Sequence, residues 1–119
     1  FYHYINVYEK DSINKAMDEA KGEFDIIIED SCHLFETQMN VIETIHPYLN
    51  RGGMLIIEDI FPIIKNKDGR GHGDYVEEEF AIAIEPFKKY YSDITFISVQ
   101  HKYKYTGLYG DVRMLVLIK

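Results

Sequence analysis

The sequence predicts an α/β layered domain whose sheet is mostly parallel, with one antiparallel strand. Two apolar runs of the buried-strand type, at residues 24–28 and 54–57, are separated by a segment with helical periodicity. Two further β-type runs close the chain, with turn residues between them. Strands that alternate with helices favour a parallel sheet, and a closing hairpin adds the antiparallel strand.

The first part of the chain predicts two strands around one helix. Residues 4–8 alternate and are rich in β-forming side chains, so they predict a short strand. Asp11 and Ser12 mark a helix start, and residues 13–21 predict an amphipathic helix that ends at Gly22. Residues 24–28 contain three consecutive isoleucines, a pattern typical of a strand buried on both faces of a parallel sheet.

The middle of the chain predicts a loop at residues 31–35, a clear helix and a strand. The helix is indicated by apolar side chains at helical spacing, namely Phe35, Met39, Ile42, Ile45 and Leu49. Pro47 lies late in this helix and should make its last turn irregular. Gly52 and Gly53 are expected to end the helix and lead into the second buried strand, residues 54–57.

The second half predicts a loop, a helix and a hairpin. Residues 61–74 contain three glycines among charged residues, which suits either an active-site lid or a plain surface loop. A third helix, which Pro86 should kink or divide, is indicated by Val76, Phe80, Ala83, Ile84 and Phe87. Residues 93–103 and 112–118 are expected to pair as an antiparallel hairpin.

Composition and charge narrow the classes of function. The 119 residues carry a formal net charge of −7. Proteins that bind nucleic acid need clustered Lys and Arg to neutralise its phosphates, so this charge argues against a nucleic-acid-binding surface. Cys32 is the single cysteine, which excludes an internal disulfide and favours a reducing cytoplasm. No apolar run approaches the roughly 20 residues of a membrane span, so no membrane partner is expected. The first residue is Phe1, so we expect a piece of a longer protein.

Each central strand runs into an acidic pair, Glu29 with Asp30 and Glu58 with Asp59. The carboxyl ends of neighbouring parallel strands meet at one edge of the sheet, so these carboxylates should gather there. Their mutual repulsion favours a bound cation, and Mg²⁺ prefers oxygen ligands. We therefore expect Asp30, Glu58 and Asp59 to bind Mg²⁺, with simple polar strand ends as the alternative. Glu58 and Asp59 would converge only where the chain leaves the regular strand, because neighbours in a strand point to opposite faces.

Residues near this edge have more than one interpretation. His33 is either a general base beside a metal-bound hydroxyl or an ordinary surface histidine. Asp11 and Ser12 either hydrogen-bond an adenine or ribose, or only cap a helix. Cys32 is not expected to be a nucleophile, because adjacent residues rarely face each other and an acidic surrounding would raise the pKa of its thiol.

Two blocks of the sequence resemble the macrocin-type O-methyltransferases. The first is FDIIIEDSCH at residues 24–33, and the second, after Gln38, is PYLNRGGMLIIED at residues 47–59. These are class I S-adenosylmethionine-dependent enzymes with a Rossmann-like fold, and the cephalosporin-hydroxylase-like proteins are similar. The family usually has Asp-Asp-Gly-Ser-His in the first block and Gly-Gly-x-x-x-Ile-Glu-Asp in the second. Asp30 and Glu58 lie 28 positions apart, which suits the family's arrangement.

The resemblance implies a set of functional residues. Mg²⁺ would be bound by Asp30, Glu58 and Asp59, and His33 would deprotonate the acceptor hydroxyl. S-adenosylmethionine would be contacted by Asp11, which approaches the adenine, and by Ser12 and Asp30.

The sequence also departs from the family pattern. Glu29 replaces the usual first aspartate, and Ser31-Cys32 replaces Gly-Ser. Loss of that glycine is expected to stiffen the turn that orients His33.

The resemblance covers nearly the whole chain but only the back half of such an enzyme. Nothing in residues 1–21 matches the glycine-rich loop that grips the cofactor, so residues 1–119 are expected to be the carboxyl-terminal portion of one methyltransferase domain. The four clear strands would then lie side by side, with the last strand between the second and the third. Two absent strands would separate them from the strand at residues 4–8.

These observations predict Mg²⁺-assisted methyl transfer from S-adenosylmethionine to a hydroxyl of a sugar or natural-product-like small molecule. A cytoplasmic enzyme without nucleic-acid or membrane partners is expected, and a homo-oligomer is left open. One alternative is a receiver-like phospho-acceptor domain, although no suitable partnering lysine follows a later strand. The other is a non-catalytic or degenerate Rossmann-like fragment.

Overall fold

The computed structural model describes residues 3–60, 77–98 and 113–119. Its elements, in chain order, are α1 (Lys10–Ala20), β1 (Phe24–Glu29), α2 (Phe35–Ile45), a 3₁₀ turn (His46–Tyr48), β2 (Leu49–Ile60), α3 (Glu77–Ile84), a second 3₁₀ segment (Glu85–Tyr90), β3 (Asp93–Ser98) and β4 (Arg113–Ile118). The predicted loop at 61–74, Val76 and the turn of the hairpin lie outside the described residues. Among the described helices, none combines the length and the apolar character needed to cross a bilayer.

The four strands form one sheet in the order β1-β2-β4-β3. β1 pairs with β2 in parallel, whereas β4 pairs antiparallel with both β2 and β3. Three strands therefore run in one direction and β4 runs in the other, which confirms the predicted α/β class with one antiparallel strand. The last strand lies between the second and the third, as the resemblance implied.

The core lies between one face of the sheet and the helices. Leu55 and Ile57 project from β2 into the core and are fully buried. Phe80 of α3 is also fully buried, and its ring meets that of Phe35 edge to face, with 5.8 Å between the centroids. The apolar stripes of α2 and α3 thus face the core as predicted. Both helices end in 3₁₀ segments at the predicted prolines, Pro47 and Pro86.

The prediction that the isoleucine strand is buried on both faces is wrong. Ile27 of β1 packs against the core, but Ile26 is 56% exposed and Ile28 is 58% exposed. Successive side chains of a strand point to opposite faces, and the described helices pack on the face that carries Ile27 and Leu55. β1 is also the edge strand of the described sheet, so the other face of its isoleucines has no cover from the described residues.

The predicted strand at residues 4–8 is not formed, and residues 3–9 carry no strand. A strand needs a neighbouring strand to provide hydrogen-bond partners for its backbone N–H and C=O groups. None of the described strands lies beside this segment. Side chains bind its backbone instead: the Asn6 N–H donates to Ser12 Oγ at 2.9 Å, and the Tyr8 N–H donates to Asn6 Oδ1 at 3.2 Å. Asn40 of α2 donates to the carbonyls of Val7 and Tyr8 at 3.1 and 3.3 Å.

Element boundaries differ from the predictions at both ends of α1 and at the start of β2, which begins at Leu49, a residue predicted to lie in the preceding helix. Helix α1 begins at Lys10 and is closed by Lys21 in the left-handed conformation, at φ 51°, rather than by Gly22. Gly52 and Gly53 do not end a helix but lie within β2. A Cβ at Gly53 would stand 2.9 Å from the Phe24 carbonyl oxygen, so this glycine allows β2 to pass close to β1.

Candidate functional site

The chain leaves β1 through a tight turn that ends in a left-handed histidine. Glu29, the last residue of β1, is 4% exposed, and its Oε1 accepts hydrogen bonds from the Ser31 N–H at 3.0 Å and from the Ser31 hydroxyl. His33 has φ 55°, a conformation that is uncommon for residues with a side chain. Ser31 has a negative φ, so the position where the family usually has glycine does not need glycine's freedom here.

The carboxyl end of β2 is also irregular. The register between β2 and β4 shifts between Ile57 and Ile60, and Asp59 within this stretch has φ 56°. Such a bulge redirects a side chain that regular alternation would place elsewhere. The chain therefore departs from the regular strand within β2, at Asp59 itself.

These two irregular strand ends bring Asp30, His33 and Asp59 together. His33 Nε2 lies 2.9 Å from Asp30 Oδ1, and His33 Nδ1 lies 3.1 Å from Asp59 Oδ2. One ligand atom from each residue lies within 4.8 Å of the others, a spacing that could hold a metal ion. The imidazole is the least exposed of the three side chains at 13%, against 60% for Asp30 and 41% for Asp59.

Glu58, the third predicted metal ligand, is not a member of this group in the part of the chain that the structure describes. It is half-buried, and alternation with the fully buried Ile57 directs its side chain to the opposite face of the sheet. Its backbone carbonyl, by contrast, accepts a 2.8 Å hydrogen bond from Gln38 Nε2. The structure thus brings together two of the three predicted carboxylate ligands, together with the predicted base.

The predicted cofactor residues at the start of α1 have different surroundings. Asp11 is exposed in the first turn of α1, and Ser12 Oγ accepts the Asn6 N–H, so the hydroxyl secures the preceding segment. This segment reaches the turn after β1, because the Tyr8 hydroxyl lies 3.8 Å from Cys32 Sγ. The contact brings the start of α1 toward the turn that carries His33, while cofactor binding by Asp11 and Ser12 stays a prediction.

Cys32 has a different electrostatic environment from the one expected. Burial raises the pKa of the Cys32 thiol, but hydrogen bonds from Thr37, Tyr8, the Leu34 backbone and Ser31 outweigh it and lower the pKa overall. The expectation of a raised pKa is therefore wrong, because the thiol contacts hydrogen-bonding groups rather than the neighbouring carboxylates. Cys32 Sγ lies 3.2 Å from Thr37 Oγ1 and 3.8 Å from the Tyr8 hydroxyl.

Two buried polar residues of the site were not assigned a role from the sequence. Gln38 of α2 is fully buried, and Glu29 has a buried Oε2 without a hydrogen-bond partner among the described residues. A signal for Gln38 was present, because it lies one turn after Phe35 on the apolar side of α2. A polar side chain on a buried helix face needs a hydrogen-bond partner, and here the partner is the backbone of β2.

Comparison with known proteins identifies the family and the fold. Residues 1–60, about half of the chain, match a family described as "Methyltransferase domain". No curated protein sequence matches the chain. The structure of the N-methyltransferase NodS from Bradyrhizobium japonicum WM9 aligns with a TM-score of 0.53 and 13% identity, over 97% of this chain and 71% of that chain. An O-methyltransferase family protein from Burkholderia thailandensis aligns with a TM-score of 0.54 and 10% identity, over 96% of this chain and 34% of that chain.

These comparisons differ in what they establish. At such low identity the two solved structures show a shared fold, and one is described as an N-methyltransferase while the other belongs to an O-methyltransferase family. The fold therefore does not decide the acceptor atom. The family match covers half of the chain and includes both strand ends that carry Asp30, His33 and Asp59. The chain belongs to this family of methyltransferase domains.

Proposed function

We propose that the chain is the carboxyl-terminal portion of a macrocin-type O-methyltransferase, which transfers a methyl group from S-adenosylmethionine to a hydroxyl of a sugar or natural-product-like small molecule. Family membership supports methyl transfer in general, and it implies S-adenosylmethionine as the donor. The two sequence blocks that resemble macrocin-type enzymes support the hydroxyl acceptor. The observation that carries the proposal is the position of His33 between Asp30 and Asp59, within 2.9 and 3.1 Å of their carboxylates.

The residues of this group fit a divalent cation. Two carboxylates and an imidazole converge within 4.8 Å, and the oxygen donors suit Mg²⁺, which completes its shell with water or substrate. Asp30 and Asp59 would hold the ion, and Glu58 would be a third ligand only if the backbone at the end of β2 changes so that its side chain reaches the same side as Asp59. A bound Mg²⁺ would lower the pKa of the acceptor hydroxyl.

His33 is the proposed general base, and its two neighbours have different roles. Asp59 faces Nδ1 and fixes the orientation of the ring, as a carboxylate does behind many catalytic histidines. Asp30 faces Nε2 and is the more exposed carboxylate, so the acceptor hydroxyl reaches the ring from this side. Because Asp30 Oδ1 lies 2.9 Å from Nε2, this nitrogen would have a lone pair for the acceptor proton only once Asp30 has turned to the ion. His33 Nε2 would then take the proton as the acceptor oxygen attacks the methyl group.

The experiment uses the full-length protein with radiolabelled S-adenosylmethionine and panels of hydroxyl and amine acceptors. We expect methylation of hydroxyl acceptors that is lost on chelation and restored by Mg²⁺. Asp30→Asn should abolish this activity, whereas Glu43→Gln, which removes a carboxylate from the second half of α2, should preserve it. Chelator-resistant turnover of amines alone would overturn the proposal. A folded protein that neither binds S-adenosylmethionine nor methylates any acceptor would favour the non-catalytic alternative.

A further inference from the structure

Gln38 makes a long-range hydrogen bond from a fully buried position. It lies in the first turn of α2 and is 0% exposed. Its carboxamide Nε2 donates to the backbone carbonyl of Glu58, 20 residues further along the chain, at 2.8 Å. Burial of a primary amide is unfavourable unless it is hydrogen-bonded, so this contact joins α2 firmly to the end of β2.

The carbonyl that Gln38 binds lies where the sheet offers no regular partner. The register of β1 with β2 ends at the pair Glu29 and Ile57, one residue before Glu58. On the other side, the register with β4 is broken between Ile57 and Ile60. A backbone carbonyl in the protein interior needs a hydrogen-bond donor, and a bulge disrupts the regular pairing that would supply one. Gln38 therefore binds the backbone of β2 at the point where its register with β1 ends and its register with β4 is interrupted.

The next residue along the chain is Asp59, and its conformation depends on this peptide group. Asp59 has φ 56°, which is unfavourable for residues with a Cβ although aspartate tolerates it better than most. The Glu58 carbonyl belongs to the peptide that joins the two residues, so its direction constrains the backbone of Asp59. With this backbone, Asp59 Oδ2 lies 3.1 Å from His33 Nδ1.

We infer that Gln38 is a positioning residue, which holds Asp59 in contact with His33 by fixing the Glu58 carbonyl. The relevance of this contact to catalysis rests on the proposed function, but the geometry does not depend on it. The bond joins Gln38 to the Glu58 carbonyl, so Gln38 acts through the backbone of β2. The inference adds a buried residue of α2 to the machinery at the strand ends.

The test measures the His33 ring directly by nuclear magnetic resonance of the full-length protein with labelled histidine. His33→Gln assigns the ring signals, and Asp59→Gly, which suits the positive φ but removes the carboxylate, gives the signals of a ring without its Nδ1 contact. Gln38→Met keeps the volume and removes the donor. We expect the ring nitrogen signals of Gln38→Met to move most of the way to those of Asp59→Gly.

The matched control is Thr44→Val, which removes another buried polar group from α2. Thr44 Oγ1 donates within the helix to the Asn40 and Val41 carbonyls, so this variant should retain the His33 signals of the unmodified protein. Should Gln38→Met fail to fold, Gln38→Leu tests the same bond, because its side chain also lacks a hydrogen-bond donor. A folded Gln38 variant with unchanged His33 signals would overturn the inference. The readout needs neither metal nor turnover, so it is distinguishable from failure of the proposed function.

Discussion

His33 and Asp59 meet across two neighbouring strand ends, and both have the left-handed backbone conformation. Their φ values are 55° and 56°, and His33 Nδ1 lies 3.1 Å from Asp59 Oδ2. A left-handed conformation costs a residue with a side chain roughly 1–3 kcal/mol, so it persists only where the surroundings determine it. Two such residues are in contact here, at the edge where α/β sheets bind ligands, and this geometry supports the proposed site.

Replacement of His33 tests the general base. In the full-length enzyme, His33→Ala should lower kcat by about 10²–10⁴-fold, the usual contribution of a positioned base. The affinities for S-adenosylmethionine and Mg²⁺ should change little, because the proposal assigns His33 to neither. His46→Ala is the control, since His46 lies in the 3₁₀ turn after α2 and stacks on Tyr90. Loss of metal binding in His33→Ala would instead identify His33 as a ligand.

The set of metal ligands is tested by calorimetric titration of Mg²⁺ or Mn²⁺ into full-length variants. Asp30→Asn and Asp59→Asn should each weaken binding by at least about tenfold, because each removes a ligand oxygen and a compensating charge. Glu58→Gln discriminates between two arrangements of the site. An equal loss would mean that Glu58 turns toward Asp59 on binding, whereas an unchanged affinity would remove Glu58 from the proposed ligand set.

The uncovered face of β1 predicts self-association of the 119-residue chain. Ile26 and Ile28 expose 56% and 58% of their surface on an edge strand, and exposed apolar edge strands favour pairing between molecules. Sedimentation velocity should detect dimers or larger species. The double variant Ile26→Thr with Ile28→Thr should shift the chain toward monomer, whereas Ile82→Thr on α3, where the isoleucine is 67% exposed, should not. A monomeric unmodified chain would contradict this prediction.

Tyr91 predicts a loss of stability at alkaline pH. The residue is 8% exposed, its hydroxyl donates to the Ile42 carbonyl at 3.2 Å, and burial raises the pKa of its phenol well above the ordinary value of 10. The folded state thus favours the neutral phenol, so this contribution is fully present below pH 10 and is lost as the pH rises above it. Urea unfolding of the unmodified protein should show this loss.

Tyr91→Phe separates the two effects of the phenol. At neutral pH the variant should lose about 1 kcal/mol of the free energy of unfolding, because one buried hydrogen bond is removed. Above pH 10 its stability should fall less steeply than that of the unmodified protein, because the titrating group is gone. Parallel pH profiles for the two proteins would show that Tyr91 does not carry the alkaline dependence.

The sequence alone determined the elements with strong periodicity and their order. The apolar stripes of α2 and α3 predict which side of each helix faces the core. Pro47 and Pro86 predict where the two helices end, because proline lacks the backbone N–H that would continue the helix. Acidic residues after two parallel strands also made it predictable that Asp30 and Asp59 would lie near His33. These features depend on local chemistry and on a general rule of sheet topology, so they can be predicted from a single sequence.

The tertiary structure decided the features that depend on distant neighbours. Residues 4–8 contain a strand pattern but form no strand, and Ile26 and Ile28 are exposed, because pairing and burial require partners elsewhere in the chain. The division between Asp59, which enters the site, and Glu58, which does not, follows from a bulge and one positive φ. Single backbone angles of this kind are set by contacts such as the bond from Gln38 to the Glu58 carbonyl. The periodicity of the sequence does not predict these angles, because each depends on two chain segments that meet only in the folded protein.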